Sequence, residues 1–212
     1  MIKNKKKVAG AFKKREEPSA PLTMPDLNKL IDGLHEDKLY NWEAYVRLSF
    51  VTALRVGDVL SLTWDDVLDK KILNFVEQKT RKVRKIPFNK TVQDKISELY
   101  ELCGRPDVNE YIMINKTQSL KTGKMSTYTN QYINRRLKNF KIKYRMNVDI
   151  NLIKTHSFRK TFGRYIYEKN GCSFQALNML NIIYQHADIK TTQIYLGIQD
   201  EEIDEVYNQI QF

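Results

Sequence analysis

Residues 186–195 read His-Ala-Asp-Ile-Lys-Thr-Thr-Gln-Ile-Tyr, and this stretch decides how the rest of the chain is interpreted. Asp188 is a good helix N-cap, so the segment predicts a short helix over residues 189–196 that carries Tyr195. His186 lies nine residues before Tyr195 and is one of only three histidines in the sequence. Tyr195 is one of twelve tyrosines, so considered alone it is expected to be a packing residue of the core.

A second segment, Thr52-Ala-Leu-Arg55-Val-Gly-Asp58, places an arginine at the end of an apolar helix predicted over residues 39–54. We predict that Gly57 breaks this helix. An arginine at such a junction is half buried and needs an anion. Asp58 either is that anion in a structural ion pair, or it orients Arg55 toward a ligand.

A third segment, His156-Ser-Phe-Arg159, falls at the start of a helix predicted over residues 157–169. Residues three apart share a helix face, so His156 and Arg159 are expected to point the same way. A histidine and an arginine on an ordinary surface would give the same pattern, so this segment has little weight by itself.

Taken together, the order and spacing of these segments resemble the tyrosine recombinase or phage integrase family. Members of that family have an arginine in a T-x-L-R-x-x-E/D segment, a lysine in a β-hairpin turn, an H-x-x-R box, and a histidine nine residues before a tyrosine. The resemblance covers residues 23–212 and includes the ending Lys190-Thr-Thr-Gln-Ile-Tyr195. It implies the following catalytic residues, with Asp58 supporting them: Arg55, Lys79, His156, Arg159, His186 and Tyr195.

The resemblance also implies a metal-independent transesterification at a DNA phosphodiester, in which Tyr195 forms a 3′-phosphotyrosyl intermediate. In this reaction Arg55 and Arg159 would hold the non-bridging oxygens, since a guanidinium fork stays protonated and fits two oxygens at once. Lys79 would protonate the departing 5′ oxygen, while His156 would assist proton transfer at the tyrosine. His186 would hydrogen-bond the phosphate.

No cofactor is expected. The sequence offers no carboxylate cluster and no glycine-rich phosphate loop, which are the usual signs of a metal or nucleotide site. The two cysteines lie far apart without a CxxC pattern, which argues against a disulfide framework or a zinc site.

The predicted fold class is mainly α with a small antiparallel β-sheet, and the resemblance implies the tyrosine recombinase catalytic-domain fold. A helix is expected to start after Thr23, its N-cap. Alternating residues predict strands over residues 72–76 and 83–88, joined by a cation-rich turn, and a third strand over residues 111–114. Further helices are predicted over residues 58–62, 127–144, 157–169, 173–184, 189–196 and 201–211.

Two domains are expected. Residues 1–21 are predicted to form a basic flexible tail or linker, which either lies along phosphates or is simply solvated. Residues 22–212 are predicted to form the catalytic domain, including a C-terminal helix over 201–212. The apolar stripe of that helix packs on its own domain or, as in the family, on a neighbouring protomer. Family members usually carry a separate N-terminal helical domain, whereas this sequence starts almost at the catalytic domain.

The charge of the chain points to a polyanionic partner. Lys and Arg number 36 against 25 Asp and Glu, a formal net charge of +11, and nucleic acid is the commonest such partner. We predict double-stranded DNA as the partner, with self-association on it. The candidate DNA-binding residues are Arg135, Arg136 and Lys138 on the helix over 127–144, with Lys82 in the hairpin. A solvated helix face is the other interpretation of the first three.

No apolar run approaches the ~20 residues that a membrane span needs, so no membrane partner is predicted. The N-terminus lacks the apolar region of a secretory signal. A cytoplasmic protein of a bacterial or phage-infected cell is therefore expected.

Four functions compete at this stage. The leading one is a recombinase that cleaves and rejoins DNA, and the second is a recombinase-derived DNA-binding regulator without turnover. A third is a relaxing topoisomerase of the same chemical type, which would need no specific site. The fourth is a helix-turn-helix repressor built on residues 165–184, which leaves Arg55 and Tyr195 unexplained.

Overall fold

The computed structural model describes residues 18–198 and 207–210 of the chain. The described part is mainly helical with one two-stranded antiparallel sheet, so the predicted fold class is confirmed. Its elements, in chain order, are α1 (Met24–Glu36), α2 (Tyr40–Thr52), α3 (Val56–Leu60), α4 (Trp64–Val67), β1 (Ile72–Val76), β2 (Val83–Pro87), α5 (Lys90–Leu102), α6 (Lys116–Thr122), α7 (Asn130–Lys143), α8 (Ser157–Lys169), α9 (Phe174–Tyr184) and α10 (Ile189–Leu196). The predicted tail, except for residues 18–21, and most of the predicted C-terminal helix lie outside the described residues.

Two apolar cores organise the described part. The larger one is built mainly from α1, α2, α5 and α7, and Phe158 of α8 also belongs to it. The smaller one lies among α8, α9 and α10, and contains Tyr167, Tyr184 and Leu196. Because α8 contributes to both cores, its first turns lie where the two cores meet. No helix of the described part is long and apolar enough to cross a membrane.

Side-chain caps explain where several helices begin. The Thr23 hydroxyl accepts a hydrogen bond from the Asp26 amide at 3.2 Å. Asp188 caps α10 in the same way, accepting from the Thr191 amide at 2.7 Å. Each cap satisfies an amide that the first helical turn leaves unpaired. The predicted start of the first helix and the predicted bounds of α10 are both confirmed.

The hairpin of β1 and β2 has a buried base and an exposed far end. Its strands pair from Ile72 opposite Pro87 to Val76 opposite Val83, as predicted to within one residue. Leu73 near its base is buried, whereas both residues of the last pair are exposed. The base of the hairpin therefore packs on the larger core, the far end of the strands is exposed, and the turn over residues 77–82 begins at the buried Glu77.

The prediction that Gly57 breaks the second helix is wrong. The helix α2 ends at Thr52, and Ala53 takes a left-handed conformation with φ of 49°, while Gly57 lies inside α3. Two distant side chains bind the carbonyls at this end: Arg84 donates to Thr52 at 3.3 Å and Arg159 donates to Ala53. The last carbonyls of α2 thus accept hydrogen bonds from arginines that are distant in the sequence. A local sequence pattern does not predict such bonds.

The prediction of a third strand over residues 111–114 is also wrong. In the described part this run forms only isolated bridges, from Tyr111 to Thr63 and from Ile114 to Thr127. The run is apolar because it is buried inside a connection, and apolar character alone does not distinguish that from a strand. The exposed helix α6 was not predicted, since it has no buried residue to give a periodic signal.

Candidate active site

Arg55 is the N-cap residue of α3, and its side chain pairs with a residue of the hairpin. Its Nη1 donates to Glu77 Oε2 at 2.5 Å, and the other oxygen of Glu77 accepts from Arg84 Nη1 at 3.1 Å. Of the two interpretations of Asp58, the structural ion pair with Arg55 is not observed, because Arg55 binds Glu77 instead. Asp58 Oδ1 instead accepts from the Gln78 amide at 2.9 Å, which fixes the start of the hairpin turn beside α3.

The two carboxyl groups differ in their pKa. Burial raises the pKa of Asp58, and the negative charge of Glu77 adds to this effect. Burial acts the same way on Glu77, but a hydrogen bond from Thr80 and the charges of Arg55 and Arg84 outweigh it and leave its pKa below the usual range. Glu77 is thus a buried anion that three partners hold in its charged form.

Arg159 joins three elements at the meeting point of the two cores. It lies on α8, is 3% exposed, and donates to the backbone carbonyls of Ala53 and of Tyr184, the latter at 3.0 Å. Its guanidinium carbon lies 4.3 Å from the centroid of the Tyr184 ring. The Tyr184 hydroxyl donates back to the Arg159 carbonyl at 2.6 Å. These bonds fix the guanidinium relative to the ends of α2 and α9.

His186 stands between α9 and α10. Gln185, the residue before it, has φ of 55° and turns the chain without a glycine. The His186 Nδ1 lies 3.0 Å from the Thr192 hydroxyl, which donates to Asn181 at 3.0 Å. The Thr192 hydroxyl thus links His186 to α9, and the tautomer of the His186 ring decides which of its nitrogens donates. Burial and nearby arginines lower the pKa of His186, which makes it neutral at pH 7.

Tyr195, on α10, has its ring 5.4 Å from that of His186, and Lys160 Nζ lies 5.2 Å from the Tyr195 ring centroid. Its hydroxyl is buried and has no hydrogen-bond partner among the described residues. Burial raises the pKa of this phenol, while the charges of Arg159 and Arg55 act to lower it. The phenol is therefore protonated at neutral pH, and the positive charges of Arg159 and Arg55 act on it.

His156 is the N-cap residue of α8 and remains exposed to solvent on one side. The segment before it is anchored to α7, since the Thr155 amide donates to Asn134 Oδ1 at 2.9 Å. Partial enclosure by the protein lowers the pKa of His156, and so do the positive charges around it. Those charges belong to Arg159, Arg55, Lys160 and Lys79. The exposed Lys79 turn therefore lies near the same site.

The predicted DNA-binding residues differ in their surroundings. Arg136 packs over the rings of Phe140 and Trp42, at 4.9 and 5.7 Å from the ring centroids, so its side chain covers the larger core. Arg135 and Lys82 are exposed, whereas Lys138 is half-buried, as Arg136 is. Their contact with DNA stays a prediction.

The predicted site residues influence one another: the charges of Arg159, Arg55 and Lys79 act on His156, and the rings of His186 and Tyr195 are in contact. The sequence analysis missed Glu77 and Thr80, which link Arg55 to the hairpin. The available signal was an acidic residue at the end of a strand, next to a turn with four cations within residues 79–84.

The fold is that of a tyrosine recombinase catalytic domain. The chain belongs to the Phage integrase family, whose sequence model matches residues 21–202.

A relative in Acholeplasma phage L2, described as a probable integrase/recombinase, is 27% identical over 169 residues. The match covers 79% of this chain and 53% of that protein, so the chain spans about half of the relative's length. The structure is similar to that of XerA recombinase, with a TM-score of 0.66 and 21% identity over 93% of this chain and 68% of the other. It is also similar to a lambda integrase dimer bound to a COC′ core site, with a TM-score of 0.60 and 16% identity over 86% of this chain and 49% of the other.

Proposed function

We propose that this chain binds double-stranded DNA and cleaves and rejoins its strands through a 3′-phosphotyrosyl intermediate on Tyr195. One observation carries the proposal. The buried phenol of Tyr195 lies within the field of two guanidinium groups, Arg55 and Arg159, which also act on His156 and His186. A phosphate held by those arginines would lie next to a tyrosine hydroxyl that no other residue of the described part occupies.

The two arginines are suited to bind the non-bridging oxygens of that phosphate. A guanidinium has five N–H groups. Arg159 uses Nη1 and Nη2 on backbone carbonyls, and Arg55 uses Nη1 on Glu77, so each retains further donors in a fixed orientation. Removing one such preorganised donor typically costs about 10²–10³ in rate.

The protons balance through the neighbouring side chains. The Tyr195 oxygen attacks phosphorus and gives its proton to His156, which is neutral at pH 7 because its pKa is lowered. The bond from phosphorus to the 5′ oxygen breaks, and that oxygen takes a proton from Lys79. In the second step a 5′ hydroxyl from the same or another strand gives its proton to Lys79 and attacks the phosphotyrosyl group, and the departing Tyr195 oxygen takes back its proton from His156.

The partner and place of action follow from the same proposal. We infer that two or more copies assemble on DNA, which is supported by the likeness to a lambda integrase dimer on its core site. We expect the protein to act in the cytoplasm of a bacterial or phage-infected cell, since the relative in Acholeplasma phage L2 is described as a probable integrase/recombinase.

Covalent trapping tests the proposal. The protein is incubated with a pool of genomic duplexes that carry random nicks, because a nick beyond the cleavage point lets the short 5′ end diffuse away. The expected result is a protease-sensitive protein–DNA adduct on denaturing gels. Tyr195→Phe should abolish it, while Tyr165→Phe, a tyrosine of α8 that packs against Phe50, should preserve it.

Two outcomes would count against the proposal. An adduct that persists in Tyr195→Phe would place the nucleophile elsewhere. DNA binding without any adduct, at low and high salt and on supercoiled as well as linear DNA, would instead identify a DNA-binding regulator built on a recombinase domain.

A further inference from the structure

Glu77 is the central residue of a hydrogen-bonded network at the base of the hairpin turn. Its side chain is fully buried and binds Arg55 through one oxygen and Arg84 through the other. The backbone of Glu77 also closes the turn, since its amide donates to the Lys82 carbonyl at 3.0 Å and its carbonyl accepts from Arg81 at 2.9 Å. One residue thus connects an arginine of the site to both ends of the turn.

The same carboxylate holds the residue next to Lys79. Thr80 Oγ1 donates to Glu77 Oε2 at 2.8 Å, the oxygen that also accepts from Arg55. The Thr80 hydroxyl lies 3.4 Å from Gln185 Oε1 as well, one residue before His186. The turn is therefore tied at Thr80 to the α3 side of the site and to the α9–α10 junction.

Lys79 itself is exposed, and its position depends on the turn that carries it. A lysine side chain has several rotatable bonds, so an exposed one is placed only as well as its backbone is. We propose that Glu77 is a positioning residue that fixes the Lys79 turn relative to Arg55, so that phosphate binding and protonation of the leaving oxygen occur at one place. This inference rests on the proposed function and names a residue that the family motifs do not include.

Changing the leaving atom of the DNA distinguishes a role in placing Lys79 from a merely structural role. An alkoxide at the 5′ position needs a proton as the P–O bond breaks, whereas a 5′ sulfur leaves as a thiolate and needs none. A defect in the placement of Lys79 should therefore disappear when sulfur replaces the bridging 5′ oxygen. A defect in Arg55, in Tyr195 or in folding should remain with either atom.

The experiment uses the nicked duplex on which the unmodified chain forms its adduct, made with oxygen or with sulfur at the bridging position. We expect Glu77→Gln to slow adduct formation on the oxygen duplex by about 10- to 100-fold, at or below the about 10²–10⁴-fold that a general acid contributes, because Lys79 is displaced and not removed. On the sulfur duplex its rate should return to within about threefold of the unmodified chain, as should that of Lys79→Ala.

Glu43→Gln is the matched control. Glu43 is equally buried and also binds an arginine, Arg47 at 2.8 Å, but it lies on α2 outside the site. It should lower stability as Glu77→Gln does and leave both rates unchanged. If Glu77→Gln does not fold, Thr80→Val decides the question, because it keeps both ion pairs and removes only the Thr80 hydroxyl with its contacts to Glu77, Gln185 and the Lys82 amide. It should show the same oxygen-specific loss at a smaller size.

Three results would overturn the inference. If Glu77→Gln or Thr80→Val forms the adduct equally slowly on both duplexes, the network acts on Arg55 or on the fold. Variants as fast as the unmodified chain on the oxygen duplex would mean that Lys79 needs no such support. No adduct from the unmodified chain on either duplex would defeat the proposed function, and the inference with it.

Discussion

At the scale of single residues, His156 and His186 make the stability of the fold depend on pH. Burial and nearby cations lower the pKa of both in the folded chain, while a histidine in the unfolded chain has a pKa near 6.5. Below about pH 6.5 the unfolded state then binds more protons, so stability falls as pH decreases through this window. The direction follows from the lowered pKa: each histidine costs stability in acid and has no effect well above 6.5.

We expect the free energy of unfolding to decrease from about pH 7.5 to 5.5, and the double variant His156→Gln, His186→Gln to lose most of that slope. Urea unfolding at several pH values measures it. His35→Gln gives the control background, because His35 binds Glu43 away from the site: the double change should remove the same amount of slope whether or not His35 is present. A slope that the double variant retains would contradict the pKa directions given above.

The sequence pattern selects candidate site residues, but it does not predict their partners. The segment with Arg55 and Asp58 suggested a local ion pair, since the two residues are three apart. The observed partner of Arg55 is Glu77, which lies 22 residues later and reaches Arg55 only because the hairpin folds back onto α3. Such a pair depends on tertiary packing, which leaves no mark in the local spacing.

At the scale of elements, the packing of α8 against α9 and α10 is unusually close at Gly163. A Cβ placed there would lie 2.6 Å from Leu196 Cδ2 and closer still to the Tyr184 hydroxyl. Gly163→Ala gains about 1 kcal/mol of helix propensity, but overpacking costs about 1–3 kcal/mol. It also pushes on Tyr184, whose carbonyl holds Arg159.

We therefore expect Gly163→Ala to lower the free energy of unfolding by up to about 2 kcal/mol, as measured by urea denaturation. Gly57→Ala is the matched control. It lies inside α3, and the nearest atom to an added Cβ is Gln78 Oε1 at 3.5 Å, so it should be neutral or stabilising by up to about 1 kcal/mol. A stabilised Gly163→Ala would show that α8 does not pack as described.

Elements whose ends are set locally were predicted well, and those set by distant residues were not. The helix α10 has its Asp188 cap within the sequence pattern, and its predicted bounds are the observed ones. The end of α2 is set by Arg84 and Arg159, both more than thirty residues later along the chain. Gly57 was predicted to break the helix because glycine commonly does so, whereas the residue in the left-handed conformation is Ala53.

At the scale of the whole molecule, the site is assembled where two cores meet, and α8 belongs to both. Arg159 binds the ends of α2 and α9, so the relative position of the cores also sets the position of the guanidinium. A change that loosens either core should therefore disturb the site even when it touches none of its residues. Each motif supplies residues from one element, and packing of the two cores brings the separate motifs together.

The charge of the whole chain is unevenly distributed, and this yields the last prediction. Residues 1–17 hold seven of the 36 Lys and Arg residues but only two of the 25 Asp and Glu residues, so they carry nearly half of the net charge of +11. Each phosphate that a protein neutralises contributes about 0.9 to the slope of log K against log salt concentration. If residues 1–17 lie along phosphates, their removal lowers the slope by that amount for each phosphate they neutralised.

We expect the chain without residues 1–17 to bind DNA more weakly at low salt, with a slope smaller by about 2 to 5. Urea unfolding and the mapped cleavage position should stay unchanged, because the two cores and the site are built from residues 18–198. Fluorescence anisotropy over a range of salt concentrations measures the slope. Arg135→Ala, which removes one exposed cation of α7, should lower it by only about 1. An unchanged slope after truncation would mean that the tail is solvated and that the DNA-binding charge lies on the folded domain alone.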